Sequence, residues 1–188
     1  MTGPLFVAAV AGEAAHLPEG ADVLITGIGT LNATMALTEA LTRGPLPARV
    51  VNIGTAGSLI DGHGGVFEIR EVLKHDFETS AIEQITGREF PNTLALGTPS
   101  GMLPTARLAT GDSFINDSAR RAQLARRADL VDMEGYAIAK VCQHFGVPVT
   151  LLKQVSDNAD ESSTATWADA VDQGARELAE AVRALGFS

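Results

Sequence analysis

The chain has 188 residues, 45% of them hydrophobic and 20% charged, with a formal net charge of −9. This is the composition of a globular chain, and the length suits one unit with a full core, so residues 1–188 are expected to form a single domain. The excess of 23 acids over 14 bases opposes broad contact with nucleic acid, and no apolar run approaches the ~20 residues that span a bilayer.

Short runs rich in Val, Ile and Leu alternate with helix-like stretches. In chain order, strands are predicted over 5–10 (LFVAAV), 22–28 (DVLITGI), 49–54 (RVVNIG), 66–73 (VFEIREVL), 107–111 (RLATG), 129–133 (DLVDM) and 147–156 (VPVTLLKQVS). Several are apolar on both faces, as expected of strands covered by helices on each side. Helices are predicted over 30–44, 116–127, 134–146 and 164–186. Gly44-Pro45 and Gly146 with Pro148 read as left-handed caps followed by proline. Asn116 or Asp117 caps the second helix, whose Arg120, Arg121, Arg126 and Arg127 read as a solvated face. Residues 75–105 show no clear period. The alternation implies an α/β layer fold.

Several motifs carry little. Gly27-Ile28-Gly29 evokes a dinucleotide turn, but Asn32 stands where the third glycine belongs, and no acid closes a second strand about 20 residues on. No cofactor is therefore expected. His63 and the pair His75-Asp76 lack a third well-spaced ligand, so no metal is expected either. Cys142 is the only cysteine and reads as a buried structural thiol, which excludes a disulfide framework. The start MTGPLFVAAV lacks a secretory pattern, and the expectation is a soluble, cytoplasmic protein acting on a small molecule.

Three carboxylates fall near predicted strand ends: Glu13 after LFVAAV, Glu134 after DLVDM and Asp157 after Ser156. Ligands of α/β sheets bind outside the carboxyl ends of strands, so the three acids can converge on one pocket.

TGIG (26–29), NIGTAG (52–57), TGDSFIN (110–116), VDMEGYAIAKVCQHFGVP (131–148) and QVSDNAD (154–160) resemble, in order, the motifs of the nucleoside phosphorylase/nucleosidase superfamily. The likeness is greatest to the 5′-methylthioadenosine/S-adenosylhomocysteine nucleosidases. The resemblance implies a three-layer αβα phosphorylase/hydrolase-like fold around a central mixed, mostly parallel sheet, and a homodimer. It implies that Glu13 activates the attacking water, that Met133 and Glu134 lie beneath the ribose, with Glu134 taking the 2′-hydroxyl, and that Asp157, held by Ser156, protonates purine N7. Phe114 and the Ile115 backbone match the purine contacts, while Ile28, Thr55 and Gly57 join the substrate-binding set. Trp167 takes the place of an aromatic residue over the 5′ end. Lys153 stands where the family commonly has an arginine near the water site.

Breaking an N-glycosidic bond builds positive charge on the ribose and negative charge on the departing base. General acid help to the base typically gives about 10²–10⁴-fold. It requires Asp157 to be protonated and Glu13 to be ionised, two carboxyls in opposite states. Phosphorylases of the superfamily carry an arginine where this chain has Asn52, and a glycine- and arginine-bearing loop where it has VAGEAAHLP. Hydrolysis is therefore expected rather than phosphorolysis. Futalosine hydrolase, a purine nucleoside phosphorylase, and a weakly catalytic nucleoside-binding protein are the competing expectations.

Overall fold

The computed structural model describes residues 3–187, except the side chains of 164–170. Strand β1 (Leu5–Ala8) pairs in parallel with β2 (Asp22–Ile25) on one side and with β3 (Val50–Ser58) on the other. Along most of its length β3 also carries β8 (Val149–Asp157) in parallel, and its end meets β7 (Leu130–Asp132) antiparallel. Strand β6 (Thr105–Thr110) lies parallel to β7 and to β4 (Val66–Lys74), and β4 returns antiparallel to β8. The five strands β3, β8, β4, β6 and β7 thus close a ring. A short β5 (Thr93–Ala95) hangs on β4. Five of the eight pairings are parallel, which gives the mixed, mostly parallel sheet expected.

Helices α1 (Thr30–Arg43) and α4 (Gly135–Phe145) cover one face, and α5 (Ser163–Ala184) covers the other. The alternation in β1 shows how the layers form. Leu5 and Val7 pack with Leu37, Leu41, Ile138 and Val141, while Phe6 and Ala8 pack with Leu178 and Val182. A strand whose side chains alternate between two buried faces must be apolar at every position. Cys142 is fully buried in the first of these clusters.

The structure corrects several sequence expectations. Gly44 is extended (φ −144°), so α1 ends without a left-handed cap and Pro45 simply prevents its continuation. Gly146 does adopt the left-handed cap (φ 66°). Asp117 is the cap of α3 (Ser118–Leu124), its side chain accepting from the Arg120 N–H. Arg120, Arg126 and Arg127 are exposed as expected, but Arg121 is half-buried. Its guanidinium donates to the Ser58 carbonyl (3.1 Å) and to Asp61 (2.8 Å), clamping the end of β3. Strand β3 also continues beyond Gly54 to Ser58, because β8 pairs with it as far as Gly57. The unreadable stretch 75–105 holds β5 and helix α2 (Thr79–Thr86), which is only eight residues long and contains no buried residue.

Candidate active site

Glu13 lies in a short 3₁₀ turn (Ala11–Ala14) directly after β1. Its carboxylate reaches back to the N–H groups of Ala9 (3.1 Å) and Val10 (3.3 Å), as in a capping box. The other oxygen accepts from the Thr55 N–H (2.8 Å) and hydroxyl (3.0 Å). Four donors therefore fix this acid between the end of β1 and the middle of β3, an arrangement suited to an acceptor-only carboxylate.

Glu134 occupies the N-cap position of α4 and is buried. One oxygen accepts from the Gly29 N–H (2.7 Å), which the TGIG turn presents with Gly29 at φ 100°. Burial pushes the Glu134 pKa up to about 7, and Asp132 adds to the effect while the Lys153 cation opposes it.

Asp157 ends β8. Its Oδ1 accepts from the Ala159 N–H (2.8 Å), and Ser156 Oγ lies 2.8 Å from Oδ2. Ala159 is held at φ 52° and fully buried, a left-handed conformation that costs an alanine roughly 1–2 kcal/mol. The strained turn points the Asp157 carboxyl back over β3. A Cβ on Gly57 would stand 3.1 Å from Asp157 Oδ1 and 3.0 Å from the Ala159 Cβ, so the close approach needs glycine.

These elements enclose one cavity of about 170 Å³. That is more than ten times the ~10–15 Å³ occupied by a single water, so it is a ligand-sized space. Glu13, Glu134 and Asp157 all line it, with Ile28, Thr55, Gly57, Phe114, Ile115, Met133 and Ser156. Ile28 and Phe114 are exposed, whereas Ile115 is buried. Glu13 and Asp157 lie at the carboxyl ends of β1 and β8, both parallel to β3, as expected, whereas Glu134 follows β7, which runs antiparallel to β3 and joins them through closure of the strand ring.

Trp167 lies outside the described residues. Lys153 does not line the cavity but lies fully buried behind it, its ammonium 2.9 Å from Asp132 Oδ2. Asn52 is also away from the cavity and donates to the Val7 carbonyl (2.9 Å), tying β3 to β1. Sequence reasoning missed Ala9, Val10, Ala56, Ser113, Val131 and Asp132, which complete the lining. Only Asp132 had a signal, as a second acid within VDMEG; the others are small or apolar residues without chemistry of their own. Among the described residues, no group of three His, Cys, Asp or Glu side chains is placed to hold a metal. Burial lowers the His75 pKa despite the neighbouring Asp76.

Comparison with known proteins matches residues 19–185 to the phosphorylase superfamily. The 5′-methylthioadenosine/S-adenosylhomocysteine nucleosidase of Shewanella sp. (strain W3-18-1) is 32% identical over 166 residues, covering 77% of this chain and 71% of the relative. The enzyme of that name from Geobacillus sp. (strain WCH70) is 32% identical over 189 residues, covering 88% and 81%. Among solved structures, an inhibitor-bound Helicobacter pylori 5′-methylthioadenosine/S-adenosylhomocysteine nucleosidase superposes with a TM-score of 0.84 at 22% identity, covering 98% of this chain and 97% of the other. Futalosine hydrolase of Helicobacter pylori strain 26695 superposes equally well, with a TM-score of 0.84 at 21% identity and the same coverage. With the fold, the motif order and these identities in agreement, the chain belongs to the phosphorylase superfamily and, within it, to the 5′-methylthioadenosine/S-adenosylhomocysteine nucleosidase family.

Proposed function

We propose that this chain hydrolyses the N-glycosidic bond of a purine nucleoside of the 5′-methylthioadenosine or S-adenosylhomocysteine type, releasing free base and a ribose derivative. The observation that carries this reading is the meeting of Glu13, Glu134 and Asp157 around one cavity. Every charged residue among the described lining residues is an acid, Asp132 being the fourth.

In this reading Glu13 takes a proton from the attacking water while its backbone partners hold it in place. Glu134 accepts from the ribose 2′-hydroxyl and sets negative charge beside the developing oxocarbenium ion. Asp157 protonates N7 of the leaving purine. Ser156 Oγ has a second acceptor, the Ala56 carbonyl at 3.4 Å, besides Asp157 Oδ2. It can therefore donate to Ala56 while accepting from a protonated Asp157, and reverse when the proton leaves. Phe114 supplies an aromatic face and Ile115 a backbone edge for the base.

The acidic lining favours water over phosphate as nucleophile. A negative charge ~5 Å from one ionised carboxylate meets a repulsion of roughly 3 kcal/mol at an effective dielectric of 20, and Glu13 must be ionised to act as the base. No guanidinium or ammonium among the described lining residues offsets this.

We further read residues 1–188 as one domain and the active species as a homodimer in the cytoplasm. The sheet supports the first reading, since it draws strands from Leu5 to Asp157. Leu31 and Met35 support the second: they are exposed on α1, close in sequence to Ile28 at the cavity rim. Light scattering tests the dimer, and cell fractionation tests the location.

The deciding experiment is base release from methylthioadenosine, S-adenosylhomocysteine, adenosine, inosine and futalosine, each with and without phosphate. Phosphate-independent release from the 5′-thio adenosines is expected. Strict phosphate dependence would make the chain a phosphorylase, preference for futalosine would make it a futalosine hydrolase, and binding without release would make it a nucleoside-binding protein.

A further inference from the structure

A buried ion pair that the proposed chemistry does not use joins Asp132 in the cavity wall to Lys153 behind it. Lys153 Nζ stands 2.9 Å from Asp132 Oδ2, and both side chains are 1% exposed. Both oxygens of Asp132 are engaged. Oδ1 accepts from the Thr110 hydroxyl (2.5 Å), and Oδ2 accepts from the Gly135 N–H (2.8 Å) as well as from Lys153. Gly135 is the first residue of α4, immediately after Glu134, so Asp132 also fixes the backbone that carries Glu134. On the other side, a Cβ on Gly54 would stand 3.1 Å from Lys153 Nζ and 3.3 Å from Glu13 Oε1, so bare backbone is all that fits between lysine and acid.

The ionisable groups facing Glu134 are few: Asp132 on β7, Lys153 on β8 and Glu13 in the 3₁₀ turn, with Asp157 on the same cavity. From the turn before α1 comes only the Gly29 N–H. One buried cation therefore serves three buried acids, Glu13, Asp132 and Glu134.

We propose that Asp132 and Lys153 are a positioning pair that sets the charge on Glu134, with Asp132 fixing where the buried Lys153 cation sits. The proposal rests on the reading of Glu134 as the carboxylate that holds the ribose hydroxyl. Burial alone pulls the Lys153 pKa down, but Asp132, Glu134 and Glu13 together outweigh it and leave the group raised, so it stays a cation. The two members act on Glu134 with opposite sign, the acid raising its pKa and the lysine lowering it. In this respect Lys153 differs from a residue that holds water or substrate directly.

The test is the acid limb of the kcat/KM–pH profile for methylthioadenosine, which reports ionisation in the free enzyme. Asp132→Asn should move the limb to lower pH and Lys153→Met to higher pH, each by about one unit, as for the gain or loss of one close charge. The double variant removes both charges and should lie between the singles. Where Lys153→Met fails to fold, the single Asp132→Asn and the double variant still decide the matter, since the second change must reverse the first. A merely structural pair would lower the rate at all pH values without opposed displacements, and limbs that move together or not at all would overturn the proposal. Should the wild-type chain release no base, the functional reading fails on its own. Carboxyl ¹³C NMR of Glu134 in the same variants then answers for the pair, with the same opposed displacements expected.

Discussion

Replacing Glu13 by glutamine keeps the shape of the side chain and exchanges one acceptor oxygen for a donor NH₂. The native carboxylate accepts from Thr55 N, Thr55 Oγ1, Ala9 N and Val10 N at 2.8, 3.0, 3.1 and 3.3 Å. The amide can satisfy one pair of donors only. It will keep its oxygen on the shorter Thr55 side and turn the NH₂ toward the N–H groups of Ala9 and Val10. Two backbone donors then lose their partner, at about 1–3 kcal/mol each. Both were at the long end of the range, which places the total near the lower limit, about 2–3 kcal/mol. For a chain of this length that is a fall in melting temperature of roughly 4–12 °C. The folded variant has also lost its proton acceptor, and base release should drop by about 10²–10⁴-fold. Thermal unfolding followed by circular dichroism measures the first effect, and chromatographic release of adenine from methylthioadenosine measures the second. A folded Glu13→Gln protein releasing adenine within twofold of the wild-type rate would refute the assignment of Glu13 as the base. An unchanged melting temperature would refute the hydrogen-bond reasoning.

Asp157→Asn should abolish most turnover, by about 10²-fold or more, while equilibrium dialysis still shows adenine binding; wild-type turnover would remove Asp157 as the acid. Gly57→Ala should force the new methyl against Ala159 and Asp157, costing about 1–3 kcal/mol of stability and lowering kcat more than it raises KM. A neutral effect on both would mean that the close approach at Gly57 has no role. Glu134 links stability to pH with a definite sign. Its folded-state pKa of about 7 lies above the ordinary 4.5, so the protonated form is favoured by folding. That contribution, about 3 kcal/mol at most, is complete below pH 4.5 and lost as pH rises through 7. Urea midpoints at pH 5 and pH 8 should therefore differ less in Glu134→Gln than in the wild-type protein, and an identical difference would exclude Glu134 as the source.

The sequence made the layers and the acids legible for different reasons. Strands such as Leu5–Ala8 are buried on both faces and announce themselves by composition, while Asp117 and Gly146 mark helix ends through chemistry that acts within a few residues. The acids were recognisable because each sits in a short motif whose spacing the chemistry constrains. Features that depend on distant residues were not visible. Lys153 resembled a water-site residue until its partner Asp132, 21 positions earlier, was seen to hold it. Arg121 resembled a surface charge because Asp61 and Ser58 lie about 60 positions away. Strand β3 seemed to stop at Gly54 because glycine weakens an isolated strand, yet paired neighbours carry it to Ser58. Helix α2, at eight residues, is too short to repeat a helical period in the sequence.

The closed strand ring has a consequence for how the molecule can vary. Every one of its five strands has two neighbours within the ring, so none can slide by a residue without dragging the rest. The excursion from Lys74 to Thr105 leaves and rejoins this hoop at β4 and β6, and contributes no side chain to the cavity wall. It must only be long enough to travel back from the end of one parallel strand to the start of the next. Trimming or exchanging the part of that excursion beyond Asp76, whose carboxylate accepts from the Asp112 N–H beside the cavity, therefore changes the outline of the protein and removes no residue from the cavity wall.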